Sequence, residues 1–158
     1  MRVLVIVLAA TLTAALMAQQ PAAPKTFASA ADVAALIAKA KAERKQDQAN
    51  FIQQILTLAP YNANLEYRGA VGPAAVHEKE AEMFFVIDGS GTLVTGGKLV
   101  GETRTNAENL SGTAIDGGTS RNVAKGDYFI VPEGAPHWFS KINGTLVLMS
   151  LHVPRTAR

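Results

Sequence analysis

Beyond Gly69 the sequence breaks into short, mostly apolar segments separated by glycines, and this pattern constrains the fold more than any other feature. The predicted strand segments are residues 74–77, 82–88, 92–95, 98–101, 119–124, 127–131, 137–140 and 144–153. Many short strands joined by glycine turns are typical of a β-sandwich or a β-barrel. Residues 101–118 are polar and glycine-rich, and they are predicted to form a long loop or an irregular hairpin. The sequence therefore predicts a mainly β domain.

An amphipathic helix is predicted ahead of these strands, within residues 29–46. The Ser29 hydroxyl can cap the first turn, and Asp32 three residues later completes a capping-box pattern. The apolar residues that follow have the spacing of one buried helical stripe: Val33, Leu36, Ile37 and Ala40. Residues 51–58 are then a plausible strand. Residues 61–68 alternate between apolar and polar side chains, which indicates a half-buried strand.

Residues 1–18 have the parts of a secretory signal peptide. Arg2 provides a positive start, residues 3–16 are apolar or small apart from two threonines, and the run then breaks at two glutamines and a proline. The apolar stretch is short for the roughly 20 residues of a membrane span, so an uncleaved anchor is the weaker alternative. We expect cleavage after Ala18, a flexible leader over residues 19–28, and export to the periplasm or the exterior of a bacterial cell.

Composition excludes several classes of site and partner. The 158 residues fit one domain, and the absence of cysteine excludes disulfides, thiolate zinc sites, iron–sulfur clusters and a cysteine nucleophile. The formal net charge is +2, and it falls further when Arg2 leaves with the signal peptide. A charge this weak predicts neither a nucleic-acid partner nor stable association of the mature chain with a membrane.

The chain has three histidines, His77, His137 and His152. Imidazole combined with carboxylate suits divalent iron, manganese, zinc, nickel or copper. Taken singly, however, a histidine is more often structural than a metal ligand, so the assignment depends on spacing. His152 lies near the C-terminus and is predicted to be an exposed histidine at a strand end.

Residues 126–137, Gly-Asp-Tyr-Phe-Ile-Val-Pro-Glu-Gly-Ala-Pro-His, have a specific spacing of glycine, proline and histidine. The order is Gly, five residues, Pro, one residue, Gly, two residues and His, which resembles the second motif of the cupin superfamily. That motif normally ends with an asparagine, and Lys141 stands in its place. The run is predicted to form a turn, a strand and a second tight turn that delivers His137 into a barrel.

The first cupin motif is also recognisable, although one histidine is missing. It reads His, any residue, His, three or four residues, Glu, six residues and Gly. Glu82 and Gly89 have the required gap. With four residues between His77 and Glu82, His77 takes the place of the second histidine and Ala75 that of the first.

An alternative register of this motif, with a three-residue gap, places Glu78 and Val76 at the histidine positions. The first register is preferred because it keeps a histidine. The resemblance covers about residues 60–153, and it implies a jelly-roll β-barrel domain, here residues 47–158, that binds a divalent metal ion. The ligands implied by the resemblance are His77, Glu82 and His137.

Three further residues are candidates for substrate binding. Arg68 ends a predicted strand beside the pocket and could hold an anionic substrate. A surface arginine paired with Glu66 or another acidic residue is the alternative interpretation of Arg68. Phe84 and Phe139 are candidates for apolar lining of the pocket or core.

The strand that begins at Glu82 is apolar on both faces, with Phe84 on one face and Phe85 on the other. Both faces should therefore be covered. One face is expected to lie in the barrel interior, and the other to lie under the N-terminal helix or a second subunit. The second arrangement, like the family resemblance, is consistent with a homodimer.

The fold alone does not settle the function. The preferred hypothesis is a metal-dependent enzyme, of oxygenase, isomerase or lyase type, that acts on a small polar or carboxylated molecule. The alternative is an exported protein that binds a small ligand without turnover, and a third reading is a structural domain with a relic site. Retention of three ligands favours a functional metal site over a relic. No catalytic acid or base beyond the ligands can be identified.

Overall fold

The computed structural model describes residues 23–155, so the predicted signal peptide lies outside the described residues. This part of the chain contains one helix, α1 (Ala30–Glu43), and eleven strands. The strands are β1 (Asn50–Leu58), β2 (Tyr61–Arg68), β3 (Ala74–His77), β4 (Glu80–Thr95), β5 (Lys98–Val100), β6 (Thr103–Arg104), β7 (Asn109–Gly112), β8 (Ala114–Asp116), β9 (Thr119–Ala124), β10 (Tyr128–Val131) and β11 (His137–Pro154). The prediction of a mainly β domain with an N-terminal helix is confirmed. Lys25, in the predicted leader, forms an isolated β-bridge with Thr57.

The two longest strands, β4 and β11, organise a nine-stranded sheet. They pair antiparallel along their whole lengths. β11 also pairs with β2 and β3, whereas β4 also pairs with β9 and β10. Three register shifts interrupt the β4–β11 pairing, and such bulges bend and twist a sheet. This bent sheet, with a separate β5–β8 ribbon, is compatible with the predicted jelly roll.

Helix α1 begins with the predicted capping box. The Asp32 backbone N–H donates to Ser29 Oγ, and the Ser29 backbone N–H donates to the Asp32 carboxylate. The helix ends at Glu43, after which Arg44 adopts an extended conformation. Its apolar stripe packs on the sheet in a cluster whose buried members are Ala40, Ile55, Leu65, Tyr67 and Val147. Within the described part of the chain, no helix is long and apolar enough to cross a membrane.

Strand β2 is more buried than its alternating sequence predicts. Leu65 and Tyr67 belong to the cluster under α1, as expected for the apolar face. Glu66 and Arg68, on the opposite face, line a cavity, and Glu66 is only 3% exposed. At the C-terminal end of β2, the polar face is therefore a cavity wall, whereas Asn62 on the same face is exposed to solvent.

The predicted two-faced strand lies within β4. Its inward residues Phe84 and Val86 belong to an interior cluster, together with Leu93, Val123, Val131, Phe139, Leu146 and Leu148. On the outer face, Ile87 packs with the cluster under α1, but Phe85 remains 38% exposed. The expectation that both faces are covered is therefore met only in part within this chain, because α1 reaches only one end of the outer face.

Residues 101–118 form short paired strands rather than one continuous loop. β6 pairs with β7, and β8 pairs with β5. Of the two predicted alternatives, a long loop or an irregular hairpin, the structure therefore has the irregular hairpin. β7 also pairs with β3 and places Asn109 opposite His77. This segment therefore contributes directly to the surroundings of a candidate ligand.

Leu148 and Leu58 provide a matched test of where the core lies. Leu148 is fully buried in the interior cluster, whereas Leu58 at the end of β1 is 46% exposed. We expect Leu148→Ala to lower the free energy of unfolding by about 2–5 kcal/mol, because it removes buried methyl groups and leaves a cavity. Leu58→Ala should change it by no more than about 0.5 kcal/mol. Urea denaturation measures both values, and equal losses would contradict this placement of the core.

Candidate metal centre

Glu82 is a buried carboxylate at the start of β4, and it is only 4% exposed. The pleat of β4 points Glu82 to the same face as Phe84, into the interior. Its neighbours across the sheet are Val131 on β10 and His152 on β11. A buried carboxylate is stable only when charged or hydrogen-bonding groups surround it, so its partners define the site.

His77, the last residue of β3, is the first of these partners. Its Nε2 lies 3.3 Å from Glu82 Oε2, and its Nδ1 lies 2.6 Å from Asn109 Oδ1. The Asn109 amide is oriented by its own Nδ2, which donates to Asn106 Oδ1. An amide oxygen only accepts, so Nδ1 of His77 carries the hydrogen and Nε2 is available to the carboxylate or to a metal.

His137 enters the site from the turn of the second motif. Gly134 has a φ of +72°, a conformation that glycine adopts readily, and its N–H donates to the His77 carbonyl at 2.7 Å. His137 follows as the first residue of β11, with Nε2 3.1 Å from Glu82 Oε2. The turn therefore fixes the two motifs to each other as well as delivering the imidazole.

His152 is the third imidazole of the site, and the prediction that it is an exposed strand-end residue is wrong. Its Nε2 lies 3.3 Å from Glu82 Oε1, and its Nδ1 lies 2.9 Å from Glu80 Oε2. His152 and Met149 do face opposite ways, as the parity indicates. Met149 packs in the cluster under α1, however, so the opposite face is the interior. Leu148 and Ser150, which lie on the same side of β11 as His152, are both buried on that interior face.

The donor set is one carboxylate and three imidazoles, which fits a divalent metal ion. Ligand atoms of His77, Glu82 and His152 lie within 4.8 Å of one another, and His137 contacts the same carboxylate. Ala75 lines the same cavity and pairs with His137 across the sheet. The first motif lacks a histidine at Ala75, but His152 on the C-terminal strand β11 brings a third imidazole to the cluster.

Glu82 and the imidazoles around it shift one another's pKa values. Burial raises the pKa of Glu82, but hydrogen bonds with the three imidazoles outweigh this effect and hold that pKa well below its usual range. The hydrogen bond to Glu82 raises the pKa of His152 to about 9. Burial lowers the pKa of His77, yet its hydrogen bonds with Glu82 and Asn109 leave it raised overall. A metal ion bound at this site would therefore have to displace protons from these imidazoles.

A cavity of about 450 Å³ opens beside the cluster. Arg68, predicted to bind substrate, lines it together with Asn50 and Glu66. Phe84 and Phe139, predicted to line either the pocket or the core, lie buried in the interior core cluster and are not among the residues that line the cavity.

Asn50 and Glu66 are site residues that sequence reasoning missed. The sequence predicts Glu66 only as a surface partner of Arg68, because alternation along β2 predicts that its polar face meets solvent. The Arg68–Glu66 ion pair exists, but it is buried in the cavity wall. Asn50 begins β1 and pairs directly with Arg68, a contact that depends on the β1–β2 register.

In the metal-free protein, these charges predict a loss of stability at alkaline pH. The pKa of His152 is raised from 6.5 to about 9, so the protonated imidazole stabilises the fold fully below pH 6.5. That contribution is lost as the pH rises through about 9. We expect His152→Gln to lose less unfolding free energy than wild type over this range, measured by urea denaturation with a chelator present. Glu78→Gln, which alters an exposed pair with Arg104, is the control and should lose as much as wild type. Equal losses in His152→Gln and wild type would contradict the assigned pairing.

Comparison with known proteins identifies the family and the fold. The sequence matches the cupin family over residues 39–154, and no curated protein matches the chain significantly. Among solved structures, BH2720 of Bacillus halodurans aligns with a TM-score of 0.54 and 15% identity, covering 87% of each chain. The Schizosaccharomyces pombe Cnp3 cupin domain aligns with a TM-score of 0.51 and 16% identity, covering 72% of this chain and 71% of that chain. The iron(II) form of HppE aligns with a TM-score of 0.51 and 14% identity, covering 67% of this chain and 52% of that chain. The family match spans most of the described residues, and the chain belongs to the cupin family.

Proposed function

We propose that the protein binds a divalent metal ion at the cluster around Glu82 and uses it to act on a small polar or carboxylated molecule. The observation that carries this proposal is the convergence of three imidazoles on one buried carboxylate. Iron, manganese, zinc, nickel and copper all accept this donor set. The structural neighbour HppE is an iron(II) protein, which supports the same class of chemistry.

The proposed ligands are His77, Glu82, His137 and His152. A bound metal would supply Lewis-acid or oxygen-activating chemistry. The residues around the ligands hold the rings in place: Asn109 accepts from His77, and Glu80 contacts the distal nitrogen of His152. Such outer partners fix the ring nitrogen that faces a metal.

A small-ligand binder without turnover is the alternative function, and the composition of the cavity wall favours it. The described residues that line the cavity include no serine, threonine, tyrosine, cysteine or lysine. Outside the proposed ligands, Glu66 is the sole carboxylate there, and it is already paired with Arg68. Proton transfer in an enzyme of this design would therefore depend on Glu66 or on an imidazole released from the metal.

The proposed setting is the periplasm or the exterior of a bacterial cell, on the strength of the signal-peptide pattern in residues 1–18. A small-molecule partner fits a cavity of about 450 Å³. The exposed Phe85 on the outer face of β4 supports a homodimer, since a second subunit could cover it.

Metal content tests the proposed site. We expect purified wild-type protein to bind about one divalent ion per chain, measured by elemental analysis and calorimetric titration. His77→Ala, Glu82→Gln and His152→Ala should each weaken binding by at least about tenfold, because each removes a ligand. Glu78→Gln is the matched control, since this carboxylate is next to His77 in sequence but pairs with Arg104 at the surface. Negligible metal in wild type, or equal metal in wild type and all three variants, would refute the proposal.

Turnover separates the enzyme from the binder. An oxygenase loaded with iron(II) should consume oxygen when small carboxylic acids are added, and Glu82→Gln should abolish that consumption. Nuclear magnetic resonance of the same mixtures detects isomerase or lyase products without oxygen uptake. Ligand binding with neither oxygen uptake nor product would leave the binder as the function.

A further inference from the structure

The cavity beside the metal cluster changes in character from its floor to its mouth. Its polar lining residues, among them Glu66, Glu82 and His137, are all buried or half-buried. Of the described residues that line it, only Ile52 and Pro73 are exposed, and both are apolar. Ile52 is 59% exposed, whereas Glu82 and His137 are 4% and 5% exposed. The proposed metal ligands therefore lie at the floor of the cavity, and an apolar rim formed by Ile52 and Pro73 lies at its mouth.

The strand register places Ile52 on the cavity side of β1. Ile52 is the direct antiparallel partner of Glu66, so the two side chains share one face of the sheet. Glu66 lines the same cavity on β2, the next strand inward. β1 is the last strand on its side of the nine-stranded sheet, which explains why Ile52 reaches the mouth while Glu66 stays inside.

Pro73 lies on the loop between β2 and β3, and hydrogen bonds hold that loop in place. Trp138 Nε1 donates to the Gly72 carbonyl oxygen at 2.9 Å. The Gly69 backbone N–H donates to the Ala49 carbonyl oxygen at 3.0 Å, which joins the loop to the residue before β1. Both sides of the rim are therefore positioned before a ligand binds, and a preformed surface lowers the entropic cost of binding.

An apolar rim above a polar floor favours a ligand with two different ends. A hydrocarbon group that covers Ile52 and Pro73 removes apolar surface from water, which is favourable. Neither of these side chains can form a hydrogen bond, so a charged group placed against them would lose hydration without gaining a partner. The charged end of a ligand is therefore expected at the floor, beside the metal cluster, and its apolar end at the mouth.

We propose that the ligand of this cavity is a medium-chain aliphatic monocarboxylate. Its carboxylate binds the metal ion, and its hydrocarbon chain packs against Ile52 and Pro73. This inference rests on the metal binding proposed above and narrows the class of molecule on which the metal acts. A cavity of about 450 Å³ is large enough for such a chain.

Zinc-loaded protein tests this assignment without turnover, because zinc has no redox chemistry. Calorimetry compares acetate, hexanoate and adipate, the last of which has the carbon number of hexanoate but a second carboxylate at the far end. We expect hexanoate to bind at least about tenfold tighter than acetate, because its methylene groups leave water at the rim. Adipate should lose most of this gain, because its second charge meets the rim. The zinc content of each sample is measured before and after titration.

Substitutions at Ile52 assign the contact. Ile52→Ser should remove most of the advantage of hexanoate over acetate, and it should leave acetate affinity and zinc content unchanged. Ile52→Leu keeps an apolar side chain and should keep the advantage. Ile130→Ser is the matched control, since Ile130 is a 56% exposed isoleucine on β10 that pairs with Met83 and does not line this cavity. This control should bind hexanoate as wild type does.

The outcomes separate this inference from the proposed function. Zinc-loaded protein that binds none of the three acids, or binds acetate or adipate as tightly as hexanoate, overturns the ligand class while metal binding stands. An unchanged preference for hexanoate in Ile52→Ser, or an equal loss in Ile130→Ser, overturns the assigned rim. A sample that takes up no zinc or other divalent metal refutes the proposed function, and this inference with it.

Discussion

The structure depends on the burial of one carboxylate. Moving a carboxylate such as Glu82 out of water costs several kcal/mol unless opposite charges or hydrogen-bond donors surround it. The three imidazoles that do so come from β3 and from both ends of β11. β3, β4 and β11 must therefore meet at one point, and the long β4–β11 pairing, with its bends, holds them there.

The local chemistry of the turns explains which parts of the site could be predicted from sequence. Gly126 and Gly134 have positive φ, which glycine adopts without strain. The glycines of the second motif therefore indicate where its turns lie. Gly89 is equally constrained, because a Cβ there would lie 2.0 Å from the Thr145 carbonyl oxygen. The positions of Glu82 and His137 followed from these fixed turns. The preferred register of the first motif also fits the structure, in which Glu78 pairs with Arg104 at the surface.

Sequence could not predict the features that depend on which face of a strand meets which layer. Alternation gives two faces, but it does not say whether the polar face meets solvent or a cavity. At Glu66 the polar face of β2 meets the cavity, so alternation alone could not predict that this residue belongs to the site. On β11 the packing of Met149 under α1 turns His152 inward, and that packing is a tertiary contact with no local signal. For Phe84 and Phe139 the sequence left pocket and core open as alternatives, and the structure places both rings in the core.

His77 on β3 and His152 on β11 lie together in the site, although they are far apart in the chain. The chain has no cysteine, so no covalent bond joins distant segments. His77 ends the third strand and His152 lies almost at the end of the last, with most of the domain between them. An ion bound to both would close that long loop, and closing a long loop removes more entropy from the unfolded chain than closing a short one. The metal would then serve as a reversible crosslink, with the resistance of the folded domain to unfolding set by the supply of metal around it.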